Sequence, residues 1–83
     1  MAAIVEPKTE WPPMPEGSKD DPPSPVEYNG GVIYTSWTKC MFRAIRTKKL
    51  YATERQFAWG QSEPTLSAWH AACQSIDEHR AGH

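Results

Sequence analysis

Between residues 36 and 49, Trp37, Met41, Ala44 and Ile45 recur at helical spacing, with Lys39, Arg43 and Arg46 on the opposite side. Ser36 is suited to cap the first turn, and Lys48 and Lys49 fall where cations complement the helix dipole. This pattern predicts a first helix over about 36–49, with Phe42 off the main stripe as a second apolar contact. Thr53-Glu54-Arg55-Gln56 has the form of a capping box, followed by Phe57, Trp59 and then Gly60 as a stop. A short second helix over about 53–59 is expected, with Leu50 and Tyr51 leading into it. Ser62-Glu63-Pro64 has the chemistry of a helix start, and Leu66, Trp69, His70, Cys73, Ile76 and Arg80 follow a 3-4-3-4 spacing. That predicts a third helix over about 64–80. Only Val32, Ile33 and Tyr34 have strand character. The expected fold class is therefore all-α: a small three-helix domain at 32–83 preceded by an extended, Pro-rich acidic arm at 1–31.

Composition separates the same two parts. Residues 1–31 hold Pro7, Pro12, Pro13, Pro15, Pro22, Pro23 and Pro25, and six acids (Glu6, Glu10, Glu16, Asp20, Asp21, Glu27) against Lys8 and Lys19. Prolines remove backbone donors and bias their predecessors away from helix, so this stretch is expected to be extended or disordered. Trp11, set among Pro12, Pro13 and Pro15, is the one candidate anchor by which the arm would order on a partner. Residues 32–83 carry three of the four tryptophans and both cysteines. Fifty-odd residues make a marginal core, which a partner subunit would help to complete. The 83 residues contain no run of about 18 apolar residues, and the N-terminus lacks the pattern of a secretory signal, so no membrane span and a cytoplasmic location are expected.

Catalytic and metal chemistry is sparse. Cys40, Cys73, His70, His79 and His83 include no paired Cys-x-x-Cys unit, and cysteines on an apolar stripe are ordinarily core residues. No metal site and no catalytic residue is therefore assigned to this chain. Lys39, Arg43, Arg46, Lys48 and Lys49 form a basic run without an acid between residues 38 and 50. On a helix the first three would share one face, which makes a nucleic-acid-binding module the alternative function. The chain's formal net charge of −1 and its acidic arm make nucleic acid the less favoured partner.

The order of aromatic landmarks carries a family resemblance. Ile33-Tyr34, Trp37, Phe42, Leu50-Tyr51, Phe57-x-Trp59 and then Leu66, Trp69, Ala72 and Cys73 together resemble the N-terminal helical domain of the nitrile hydratase β subunit. They resemble still more the small nitrile hydratase accessory (activator) proteins and the split small subunits of thiocyanate hydrolase and three-subunit nitrile hydratases. Pro13-Met14-Pro15-Glu16-Gly17 is similar to the Pro-rich lead of those accessory proteins. The chain departs from the pattern at Lys49, where a glycine is typical, and at Thr65-Leu66, where two tyrosines are typical. It also lacks the barrel half of the β subunit and the Cys-x-x-Cys-Ser-Cys cluster of the metal-bearing α subunit. The resemblance implies a non-catalytic subunit or activator, inactive alone, that forms a hetero-oligomer with an α-type subunit carrying cobalt or iron. That complex would hydrate nitriles to amides. The implied partner-binding residues are Trp11, Trp37, Phe42, Phe57, Trp59 and Trp69.

Overall fold

The computed structural model describes residues 10–47, 52–60 and 63–81, and corrects the expected fold class. The chain is α+β, not all-α: four antiparallel strands form one sheet, and a single C-terminal helix packs on it. The strands are β1 (Val26–Tyr28), β2 (Gly31–Ser36), β3 (Met41–Thr47) and β4 (Ala52–Ala58), paired in chain order as a meander, and the helix is α1 (Leu66–Ala81). The helices expected at 36–49 and 53–59 are strands β3 and β4 with their flanking turns. The third expected helix, 64–80, is α1 within two residues at either end.

Turn chemistry explains why strands win. Asn29 and Gly30 both have positive φ (47° and 82°), and Tyr28 pairs with Gly31 across them. A two-residue Asn-Gly turn with both residues left-handed matches the twist of the strands it joins. Residues 37–40 make the second turn, closed by Cys40 at φ 52°, so Ser36 pairs with Met41. The hairpins fix the register, and alternation then sorts side chains between two faces. Ile33, Phe42 and Ala44 are fully buried beneath α1, while Tyr34 and Arg43, one residue along, point the other way. In β4 the inward series is Arg55, Phe57 and, just past the strand, Trp59.

The core lies between α1 and the sheet, with β3 and β4 under most of the helix. Ala68, Trp69, Ala72, Cys73 and Ile76 supply the helix side. Thr65 starts the helix, its Oγ1 accepting from the Ala68 N–H at 3.3 Å. Gly31 is the point of closest approach: a Cβ there would lie 2.7 Å from Ile76 Cδ1 and 3.0 Å from the Ile45 carbonyl oxygen. β1 and Trp11 belong to this same packed unit although both precede residue 32. No helix among the described residues is long and apolar enough to cross a membrane.

Candidate nucleic-acid interface

α1 covers one face of the sheet, and among the described residues the other face carries no helix. On this helix-free face the register aligns side chains in rows across the strands. Tyr34, Arg43 and Gln56 form one row; Glu27, Val32, Ile45 and Glu54 form the next, with a carboxylate at each end; Ser36, Met41 and Ala58 form a third. The first row is made of long side chains with hydrogen-bonding or π-bearing ends, set on the two central strands and β4.

Arg43 is the centre of this face. Its Nε donates to Glu54 Oε1 and its Nη2 to Glu54 Oε2, both at 3.1 Å, in a two-pronged pair that leaves both side chains about 40% exposed (41% and 36%). The guanidinium carbon sits 5.9 Å from the Tyr34 ring centroid. Gln56 Nε2 donates to Glu54 Oε1 at 3.0 Å. The Arg43 fork holds the Glu54 carboxyl down to about 2, with the Gln56 amide and the charges of Arg43 and Lys39 acting in the same direction. The same pairing raises Arg43 above its ordinary value. Lys39, in the 37–40 turn, thus acts on this face through its charge.

Beside Arg43 lies a half-open groove of about 540 Å³ between the arm and the 37–40 turn. Its lining includes the cations Lys19 and Arg43 and the hydroxyl-bearing Tyr34, Ser36 and Thr38, with no carboxylate among the described residues; the Thr35 hydroxyl is buried. Cations and hydroxyls without an acid are the donor set that phosphate oxygens require.

The basic run identified in the sequence is thereby distributed rather than gathered on a helix. Arg43 lies on the helix-free face and Lys39 in the adjoining turn; Arg46 turns to the helix side, where its Nε is buried without a hydrogen-bond partner. Lys48 and Lys49, like Leu50 and Tyr51, lie outside the described residues. Sequence reasoning missed Tyr34, Glu54 and Gln56. The signal that would have found them is the period-2 alternation of 53–59, where Thr53, Arg55, Phe57 and Trp59 alternate with Glu54, Gln56 and Ala58.

The six aromatic candidates for partner binding gather on the opposite side. Phe42 is fully buried, Trp69, Trp59 and Trp11 are 1%, 5% and 8% exposed, and Trp37 and Phe57 are half-buried against the same cluster. Trp37, Trp59, Phe42 and Trp69 form a chain of edge-on contacts with centroids 5.1–5.5 Å apart. Trp11 docks on α1: its Nε1 donates to Asp77 Oδ2 at 2.7 Å, its ring lies 5.4 Å from that of His70, and Trp69 Nε1 donates back to the Pro12 carbonyl at 2.9 Å. Asp77 also accepts from Tyr28 Oη at 2.7 Å and Asn29 Nδ2 at 3.0 Å, so one carboxylate joins the arm, the first hairpin and the helix.

Cys73 is buried, and burial, with the Asp77 charge beside it, pushes its thiol up to about 12. His70 lies against the Trp11 ring and Cys40 in the second turn. No three His, Cys, Asp or Glu side chains among the described residues are grouped to hold a metal ion.

The chain matches no protein-family model, none of the curated proteins and no solved structure.

Proposed function

We propose that this protein is a small non-catalytic module that binds duplex DNA through the helix-free face of its sheet. The observation that carries the reading is the Tyr34–Arg43–Gln56 row at the centre of the helix-free face, with Lys19 and Lys39 beside it and the carboxylates Glu27 and Glu54 at the ends of the adjoining row. Between Tyr28 and Thr53 the sequence contains five cations (Lys39, Arg43, Arg46, Lys48, Lys49) and no acid, so β2, β3 and their turns are the basic part of an otherwise acidic chain.

Duplex DNA fits better than the other nucleic acids. The major groove of B-DNA, about 12 Å wide, admits a two-stranded β-ribbon, for which the β2–β3 hairpin at its 37–40 turn is the candidate here, whereas the deep, narrow major groove of A-form RNA does not admit side chains for reading. Single-strand platforms stack bases on rows of aromatic rings. Among the described residues the helix-free face of the strands has one ring, Tyr34, and it already lies beside a guanidinium. Arg43 and Gln56 are suited to base edges, and Val32, Met41 and Ile45 to thymine methyl groups. Lys19 and the hydroxyls of the adjoining groove would take backbone phosphates.

Membership of a nitrile hydratase-like complex is the weaker reading. It was built on a helical domain presenting its aromatics to a partner, and those aromatics form this chain's own core.

The test is fluorescence anisotropy of a labelled random-sequence 20-base-pair duplex titrated with the full chain at several salt concentrations. The reading expects micromolar binding that weakens with salt, with a log–log slope of about −2 for the roughly two phosphates that Lys19 and Lys39 would neutralise. Tyr34→Ala with Arg43→Ala should abolish it, and Glu78→Gln on the exposed side of α1 should not weaken it. No salt-dependent binding, or unchanged binding by the double variant, overturns the proposal.

A further inference from the structure

The pairing at the centre of the helix-free face has a consequence for which base is read. A guanidinium has five N–H donors arranged along three edges. Glu54 takes the Nε/Nη2 edge of Arg43 with both carboxylate oxygens. The Nη1/Nη2 edge remains, and it is the edge whose two parallel N–H groups match the O6 and N7 acceptors of guanine. The plane of the fork is also set: Tyr34 lies against it on one side, and Gln56 fixes the carboxylate that fixes the arginine. An arginine held in this way loses little rotamer freedom on binding. A carboxylate beside it also repels phosphate, which discourages Arg43 from wandering to the DNA backbone.

We infer that Glu54 is a positioning residue that aims the free edge of Arg43 at a guanine in the major groove of duplex DNA. The inference rests on the proposed duplex-binding function and adds the base that is read and the residue that enforces the reading. Glu54 makes no contact with the base itself; it acts through Arg43. Its effects on affinity and on selectivity are therefore opposite in sign. Removing its charge favours indiscriminate binding to the anionic duplex, while freeing the arginine weakens discrimination. Simple loss of structure would lower both.

The experiment uses the full chain. Selection from a random duplex library gives the preferred site, and anisotropy titrations then compare that site with versions in which each guanine is replaced by adenine or by 7-deazaguanine, which lacks N7. The wild-type chain is expected to show one guanine whose replacement by adenine weakens binding roughly tenfold or more. In Glu54→Gln that ratio should fall towards unity while binding to random duplex becomes equal or tighter. Arg43→Lys, which keeps the charge but not the fork, should lose the same ratio and retain random-duplex binding. Glu54→Ala, which removes the carboxylate without putting an amide in its place, should lose the ratio in the same way and serves if Glu54→Gln fails to fold. The inference is overturned if the selected site contains no discriminated guanine. It is likewise overturned if Arg43→Lys abolishes discrimination but Glu54→Gln and Glu54→Ala both keep the wild-type ratio. Absence of binding to every duplex is a separate result that removes the proposed function itself.

Discussion

Replacing Asp77 with alanine should be among the most damaging single changes in this protein, although the residue is polar and only partly buried. Its carboxylate accepts from Trp11 Nε1 and Tyr28 Oη at 2.7 Å and from Asn29 Nδ2 at 3.0 Å. The first two bonds are part-buried, and the third is exposed. A hydrogen bond to a charged acceptor is worth about 1.5–3 kcal/mol when it is not open to water, and stranding its donor forfeits most of that. Two such bonds at the lower end, with a small addition from Asn29, give a loss of about 3–4 kcal/mol. A chain of this length has a total stability of roughly 4–12 kcal/mol, so the loss is a large share of the whole. Asp77→Asn keeps one acceptor and supplies a donor that the Tyr28 hydroxyl can accept, and should lose only about 1–2 kcal/mol. Urea unfolding followed by far-UV circular dichroism and tryptophan fluorescence measures both. A loss below about 1 kcal/mol in Asp77→Ala, or a greater loss in Asp77→Asn than in Asp77→Ala, would refute the claim that this carboxylate clasps the arm to the helix. The clasp should also fail in alkali. Burial, chiefly, and the bond to Asp77 raise the Tyr28 phenol above its ordinary 10.0. Its contribution is therefore complete below about pH 10 and is lost only as pH rises through the higher folded value.

Three further outcomes are expected. Gly31→Ala places a methyl group 2.7 Å from Ile76 Cδ1 and should destabilise by about 1–2 kcal/mol; because Ile76→Val removes that atom, a double-mutant cycle in urea should show the pair losing less than the sum of the singles. In the native protein at pH 8, a thiol reagent should modify Cys40 well before Cys73, whose thiol is buried and pushed up to about 12, and both should react in guanidinium chloride; equal native rates would contradict the packing of α1. Glu54 is depressed to about 2, so its pairing with Arg43 is complete above the ordinary carboxylate range and is lost only as pH falls through that low value; base selectivity measured by anisotropy should be flat from pH 5 to pH 8.

The helix α1 was legible because sixteen residues give several turns of consistent spacing, and a period of 3.6 can then be told from others. The strands were not, because six or seven residues satisfy both periods. Met41, Ala44 and Ile45 fit a helical stripe, yet Phe42, Ala44 and Arg46 equally fit one side of a strand. Thr53-Glu54-Arg55-Gln56 likewise suits a helix cap and an alternating strand. What decides between them is turn chemistry: Asn29-Gly30 is a strong local hairpin signal, but it lies at the end of a stretch whose prolines and acids have the composition of an extended arm. Once the first hairpin is set, β3 must pair with β2, and the aromatics assigned to a partner turn inward onto α1. The role of Trp11 could not be read at all, since its partner Asp77 lies 66 residues away in sequence. Of the candidate interface, Arg43 and Lys39 were visible as charges, but their neighbours Tyr34, Glu54 and Gln56 come together only through the register of three strands.

The central claim is that the helix-free face of the sheet meets duplex DNA, and heteronuclear NMR of the full chain during titration with a short duplex tests it most directly. The account predicts that the Arg43 Nε–H and Gln56 side-chain amide signals shift most, together with the backbone amides of Tyr34 and Lys39. The amides of α1 between Ala68 and Ile76 and the Trp69 indole should stay in place. Shifts centred on α1 and the Trp11 clasp, with Arg43 and Gln56 unmoved, would contradict it.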